Sequence, residues 1–323
     1  MSVTIANVYT SCDRDAARLD TYAPTLRKGV IVSLVDGQSN AQGGHGDNSA
    51  PITQTADTAF ATDADNTNLT LRVLTVNASG TGPDRIGSVS SIYGFAAELW
   101  DTYGVRTVNT MSAWQGTALI EDTPNGLDPA FRWSVDDDYV ALSLQRSPAT
   151  LGPQVRNRIV PHQNECMRLR PDLKALLKVA HWSQGEAEAP HLLSGVVTKA
   201  EYTAGLQAHW NWRKSEGFQV MVVHEHGRKG LDAENIASNE PMNVLVREAQ
   251  ADFVNANSDV IWGSQAAKET GTLVVDSDGA WVSGFDYFTD DGGVHWTGPA
   301  QNAIGRYAAK QVAAYASIAA ILV

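Results

Sequence analysis

GVIVSLVDGQSNAQG, residues Gly29–Gly43, is the stretch whose reading decides the fold. After Gly29 comes a nearly unbroken apolar run, Val30-Ile31-Val32-Ser33-Leu34-Val35, rich in β-branched residues. Such a run suits a strand buried on both faces of a parallel sheet. It stops at Asp36-Gly37-Gln38-Ser39-Asn40, a cluster of turn formers. A serine just past the carboxyl end of a buried strand stands where open α/β sheets place their ligands. Gly37 permits a tight turn, so Ser39 can project its hydroxyl into a crevice, as a nucleophile requires.

Outward from that stretch, strand-like and helix-like segments alternate. Leu69–Val76 (LTLRVLTV) reads as a strand or hairpin arm. Ser91–Tyr103 has helical spacing of Phe95, Leu99 and Trp100, with Gly104 as its stop. Val105–Val108 reads as the second parallel strand. Pro161–Leu169 reads as a short helix with proline in its first turn, and Leu173–Ala180 as a third strand. Lys199–Glu216 has Tyr202, Leu206 and Trp210 at four-residue spacing, which predicts a helix. Phe218–Val223 reads as a fourth buried strand, Met242–Asn255 as a helix and Thr272–Val275 as a short strand. A helix through Ala303–Lys310 leads into the apolar run Val312–Val323. Gly43–Asn68 and Asn125–Pro153 read as loops. Strands alternating with helices predict a three-layer α/β/α sandwich with a mostly parallel, flavodoxin-like sheet. One domain is expected over residues 29–323, with residues 1–28 a polar lead-in or attachment segment.

The 323 residues are 43% hydrophobic, enough for a sizeable core. The balance of 24 basic against 36 acidic residues gives a formal charge of -12. That balance, with no sizeable Lys/Arg cluster, argues against nucleic acid and anionic membranes as partners and favours a neutral or weakly charged substrate. Cys12 and Cys166 show no metal-type spacing and no disulfide framework. The start shows no signal peptide, and the C-terminal apolar run is too short to span a bilayer. A soluble protein is expected, compatible with an extracellular or virion-associated life.

Chemistry-bearing residues gather at the turns that follow strands. Besides Ser39, these are Trp114-Gln115-Gly116-Thr117, Trp182-Ser183-Gln184-Gly185-Glu186, and the late Asp290-Asp291-Gly292-Gly293-Val294-His295-Trp296. The four blocks, in this order, resemble those of the SGNH hydrolases, in the branch of sialate O-acetylesterases and carbohydrate acetylesterases. The most specific match is Trp182–Glu186, similar to the family's W-x-Q-G-E. The resemblance implies an SGNH-type esterase that removes O-acetyl groups from carbohydrate without metal or organic cofactor. Ser39 would be the nucleophile and His295 the base. Gln184 and the backbone N–H of Ser39 would serve the oxyanion hole. A further backbone N–H would come from Gln115 or Gly116, in the turn that resembles the family's G-G-T. Glu186 would organise its turn. Where the family usually has an aspartate two residues later, this chain has Glu188. The family's D-x-x-H would put aspartate at position 292, which is glycine here. Asp291, Asp290 or a backbone carbonyl is then left to orient His295.

Other residues take plainer readings. Asp136-Asp137-Asp138 reads as a solvated loop. His224-Glu225-His226 would place two imidazoles on one strand face, but no further ligand of obvious spacing makes it a metal site. Trp114 and Trp296 adjoin catalytic blocks and are candidates to stack on sugar rings. Two other readings share the fold: a catalytically inactive carbohydrate-binding module, which the displaced aspartate would suit, and the esterase domain of a viral tail or receptor-binding protein, for which a trimer would be expected.

Overall fold

The computed structural model describes residues 28–42, 58–62, 71–74, 90–113, 118–120, 153–227, 233–264, 273–275, 281–283 and 295–316. In chain order the elements are β1 (Lys28–Gly37), α1 (Ser39–Gln42), β2 (Ala59–Thr62), β3 (Leu71–Val73), α2 (Ser91–Tyr103) and β4 (Arg106–Met111). Then come α3 (Pro153–Arg168), β5 (Leu173–Ser183), α4 (Ala189–Ser194), α5 (Lys199–Ser215) and β6 (Val220–His224). The chain continues through α6 (Ala233–Ala256), β7 (Val260–Ser264), β8 (Leu273–Val275), β9 (Trp281–Ser283) and α7 (Gly298–Ala316).

Seven strands form the main sheet in the order β3-β2-β4-β1-β5-β6-β7. Six run parallel, and β3 closes one edge antiparallel to β2. β8 and β9 make a separate antiparallel pair. β1 lies at the centre and is buried from Val30 onward, which is why its sequence runs apolar without alternation. The chain builds outward from β1 through β2 and β4 on one side, then crosses to β5, β6 and β7 on the other. The crevice outside the carboxyl ends of β4, β1 and β5 is therefore the point where strand order reverses, the usual ligand position in such sheets.

Two layers of helix cover the sheet. On one face, α2 and α7 pack over Ile31, Val35, Val179 and Val222. On the other, α5 and α6 enclose Leu34, Ala180, Trp182, Met221 and Val223. Buried Gln163 of α3 reaches the same face, donating to the Ser33 carbonyl at 3.0 Å. The predicted three-layer α/β/α class is the one observed. α5 begins at a capping box, in which Thr198 accepts from the Glu201 N–H and Glu201 accepts from the Thr198 N–H. Its Tyr202, Leu206 and Trp210 are all buried, as their spacing predicts. α2 ends at Gly104, which adopts the left-handed conformation with φ 65°.

Several boundaries differ from those read in the sequence. β2 lies inside the stretch 43–68 that reads as loop, and β7 follows α6 where no strand is read. α3 starts at Pro153, so Pro161 sits inside it rather than in its first turn. The ring at 161 costs one intrahelical hydrogen bond; burial of Ile159, Val160, Gln163 and Cys166 on the same helix offsets it. α6 likewise starts nine residues before Met242 and carries Pro241 internally. The expected lead-in apart from Lys28, which opens β1, the acidic run 136–138 and Cys12 lie outside the described residues.

α2 and α7 meet backbone to backbone. A Cβ on Gly305 would lie 1.8 Å from the Ser91 carbonyl oxygen and 2.6 Å from the Phe95 nitrogen. One on Gly94 would lie 2.0 Å from the Asn302 carbonyl oxygen. Neither backbone can yield as a side chain would. Gly305→Ala is therefore expected to destabilise the protein by about 3 kcal/mol, the upper end for overpacking. The gain in helix propensity, ~1 kcal/mol, works the other way and is smaller. Urea unfolding measures the difference; a variant as stable as the native chain would mean that the two helices do not touch here.

Candidate active site

β1 delivers Ser39 to the crevice through the turn at Gly37. The φ of Gly37 is +131°, a conformation that side chains rarely adopt, and a Cβ there would lie 2.0 Å from the Ser183 carbonyl oxygen. That close approach lets the Gln38 N–H donate to the same carbonyl at 3.0 Å. The ends of β1 and β5 are thus clamped together, and the Ser39 and Gln184 blocks leave the sheet side by side. Ser39 opens α1 and is 6% exposed.

Asn40 joins three of the four sequence blocks. Its Nδ2 donates to Glu186 Oε1 at 2.5 Å. Its Oδ1 accepts from the backbone N–H of Trp296 at 3.1 Å, and its carbonyl accepts from Gln301 Nε2 on α7 at 2.9 Å. The neighbour of Ser39 therefore holds the neighbour of His295, 256 positions away in the chain. His295 itself is 7% exposed. Sequence reasoning quoted Asn40 within its block but gave it no role, because its partners become visible only on folding. Glu186, expected to organise its turn, accepts this bond from Asn40.

Gln184 is held on every side. Its Nε2 donates to Glu188 Oε2 and lies 3.4 Å from Gln38 Oε1. Its Oε1 accepts from the Tyr202 hydroxyl at 3.0 Å, and its backbone carbonyl accepts from Gln250 Nε2 at 3.1 Å. Burial keeps the Tyr202 phenol protonated, so it remains a donor. Glu188 also accepts from the backbone N–H groups of Leu119 and Ile120. Its carboxyl is fully enclosed, and that burial raises it to about 7, against the pull of the four hydrogen bonds it receives.

Beneath the turn, on the α5 face of the sheet, Asp36 is fully buried. Arg213 grips it in a two-pronged pair, Nε to Oδ2 at 2.7 Å and Nη2 to Oδ1 at 2.8 Å. His209 Nε2 lies 3.0 Å from the same Oδ2. Burial alone would raise the Asp36 carboxyl; the Arg213 charge and the His209 contact override it and hold it at about 2. No sequence pattern announced this pair, whose members stand 177 positions apart.

The histidines of His224-Glu225-His226 do not share a strand face. β6 ends at His224, so the two-residue period that would align them is broken. His224 stacks on His181, with ring centroids 5.6 Å apart and Nδ1 of His181 3.4 Å from its Nε2. His226 turns the other way, with Nε2 2.9 Å from Asn243 Oδ1. Burial lowers His224 to about 4 and pushes His181 and His226 down as well. Among the described residues no cluster of three His, Cys, Asp or Glu could hold a metal ion. Trp296 is 3% exposed. Trp114, Gln115, Gly116, Asp290 and Asp291 lie outside the described residues.

No known family model and no curated protein matches the sequence. Solved structures do resemble the fold. NanS superposes with a TM-score of 0.50 at 11% identity, over 89% of this chain and 97% of that one. The likeness is one of fold. A protein from Arabidopsis thaliana (TM-score 0.46, 15% identity, 89% of this chain and 98% of that one) is also similar. So is a carbohydrate acetylesterase from Xanthomonas citri, with a TM-score of 0.41 and 18% identity over 88% of this chain and 56% of the other.

Proposed function

We propose that the protein is a serine esterase that removes O-acetyl groups from carbohydrate through an acyl-enzyme. The observation that carries this reading is the Asn40 bridge, which draws the chain beside Ser39 to the chain beside His295 and to the Gln184 turn. Binding alone does not call for a serine, a histidine and a hydrogen-bonded amide in blocks that one side chain ties together; acyl transfer does. The acetylesterase named among the similar structures is consistent with the substrate class. The acidic composition suits an uncharged sugar ester.

In the reaction, Ser39 Oγ attacks the acetyl carbonyl carbon while His295 takes the hydroxyl proton. The developing oxyanion is met by the Ser39 N–H, by the N–H of Gln115 or Gly116, and by the Gln184 amide. One Nε2 hydrogen of Gln184 is engaged by Glu188. The other lies along the long 3.4 Å contact with Gln38 Oε1, the bond an oxyanion would replace. Collapse expels the sugar oxygen, which receives the proton from His295. Water then attacks the acetyl-serine, with His295 again as base, and acetate leaves. Asp291 or Asp290, or a backbone carbonyl, orients the imidazole.

The test is acetate release by the native chain from p-nitrophenyl acetate and from acetylated polysaccharides, with Asp291→Ala and Asp290→Ala alongside. Release is expected from both substrate types, with the orienting aspartate revealed by whichever variant loses rate. No release from any acetyl ester would overturn the reading and leave a carbohydrate-binding module on the same fold.

A further inference from the structure

We propose that Glu188 is a positioning residue that fixes the orientation of the Gln184 amide and tethers the chain at Leu119–Ile120 to it. The proposal rests on the esterase reading for its catalytic consequence, but the tether itself can be measured without activity.

The geometry divides the carboxylate into two jobs. Oε1 accepts from the backbone N–H groups of Leu119 and Ile120, which lie two and three residues after Thr117 in sequence. Oε2 accepts from Gln184 Nε2. An ionised carboxylate can only accept, so the atom of Gln184 that faces it must be nitrogen. Tyr202 completes the arrangement by donating to Gln184 Oε1 at 3.0 Å. The amide is thereby held between an obligate acceptor and a protonated phenol. The tethered segment is also closely packed: a Cβ on Gly205 of α5 would lie 2.4 Å from Ile120 Cδ1. One enclosed carboxylate thus couples the Leu119–Ile120 segment to Gln184.

Two substitutions separate the jobs. In Glu188→Gln, the new carbonyl oxygen still accepts from Leu119 and Ile120, but the new NH2 meets Gln184 Nε2 donor to donor. Relief requires the Gln184 amide to flip, which Tyr202 tolerates because a hydroxyl also accepts. Glu188→Ala removes both interactions. At pH 8, where the native carboxyl is mostly ionised, Glu188→Gln is expected to lower kcat on p-nitrophenyl acetate roughly a hundredfold, with KM within about threefold, as for loss of an oxyanion donor. Amide hydrogen exchange at Leu119 and Ile120 should stay slow in Glu188→Gln and accelerate in Glu188→Ala. Native kcat in Glu188→Gln would overturn the orienting role. Unchanged exchange at Leu119 and Ile120 in a folded Glu188→Ala would overturn the tether. A native chain without esterase activity would overturn the catalytic part through failure of the functional reading, while the exchange measurement still decides the tether.

Discussion

Ser39→Ala is expected to abolish ester hydrolysis, lowering kcat by about 10³-fold or more while the protein stays folded. In the proposed mechanism the hydroxyl is the atom that forms the covalent bond. Gln184, with Tyr202 and Glu188 around it, can still bind a carbonyl oxygen, so KM should change little. The Asn40 bonds to Glu186 and Trp296 do not pass through the Ser39 hydroxyl, so stability should move by less than about 1 kcal/mol. Steady-state kinetics beside a urea melt separate the two effects. A variant that retains most of its kcat would remove Ser39 from the mechanism.

Asp36→Asn is expected to destabilise the protein by about 3–5 kcal/mol, because it leaves the fully buried Arg213 charge without its partner. The amide is the same size as the carboxylate, so packing is preserved and the electrostatic loss is isolated. Its Nδ2 would also face a donor whichever way it turned, since Arg213 presents N–H groups to both carboxylate oxygens. Glu216, which accepts from Arg213 Nη1 at 2.7 Å, compensates only in part because it lies toward solvent. The pH dependence follows from the same pair. Folding lowers the Asp36 carboxyl from 3.8 to about 2, so its contribution is present above pH 3.8 and is lost as pH falls through about 2. Urea midpoints at neutral pH, with the slope unchanged, give the loss directly. A shift equivalent to under 1 kcal/mol would mean that Arg213 finds other acceptors.

The central strand and its turn were legible because a strand buried on both faces needs a continuous apolar run, and only a break in that run frees a side chain for chemistry. α2 and α5 were legible for a related reason: each carries an apolar stripe at helical period, and Gly104 marks where the first one stops. β2 was not, since Ala59-Phe60-Ala61-Thr62 is too short and too poor in β-branched residues to stand out from a polar stretch. Pro161 suggested a helix start, yet it sits within a helix whose buried face outweighs one missing hydrogen bond. At the site, single residues with family-like spacing could be read, but the contacts that assemble them could not. Asn40 with Trp296, Asp36 with Arg213, and Glu188 with Leu119 are pairings across long stretches of chain. Each involves short polar side chains whose role depends on where the sheet brings them. His224 and His226 show the opposite failure, a suggestive spacing undone by the end of β6.

The most direct measurement is labelling of the native chain with a fluorophosphonate, followed by peptide mass spectrometry. Fluorophosphonates phosphonylate only a serine activated by a base, so the adduct reports nucleophile and base together. A single adduct at Ser39 is predicted, with loss of ester hydrolysis in step with labelling, and with labelling greatly slowed in His295→Ala. Hydrolysis that persists with Ser39 fully modified, or an adduct on another residue instead, would contradict the assignment of Ser39 as the nucleophile brought to His295 by Asn40.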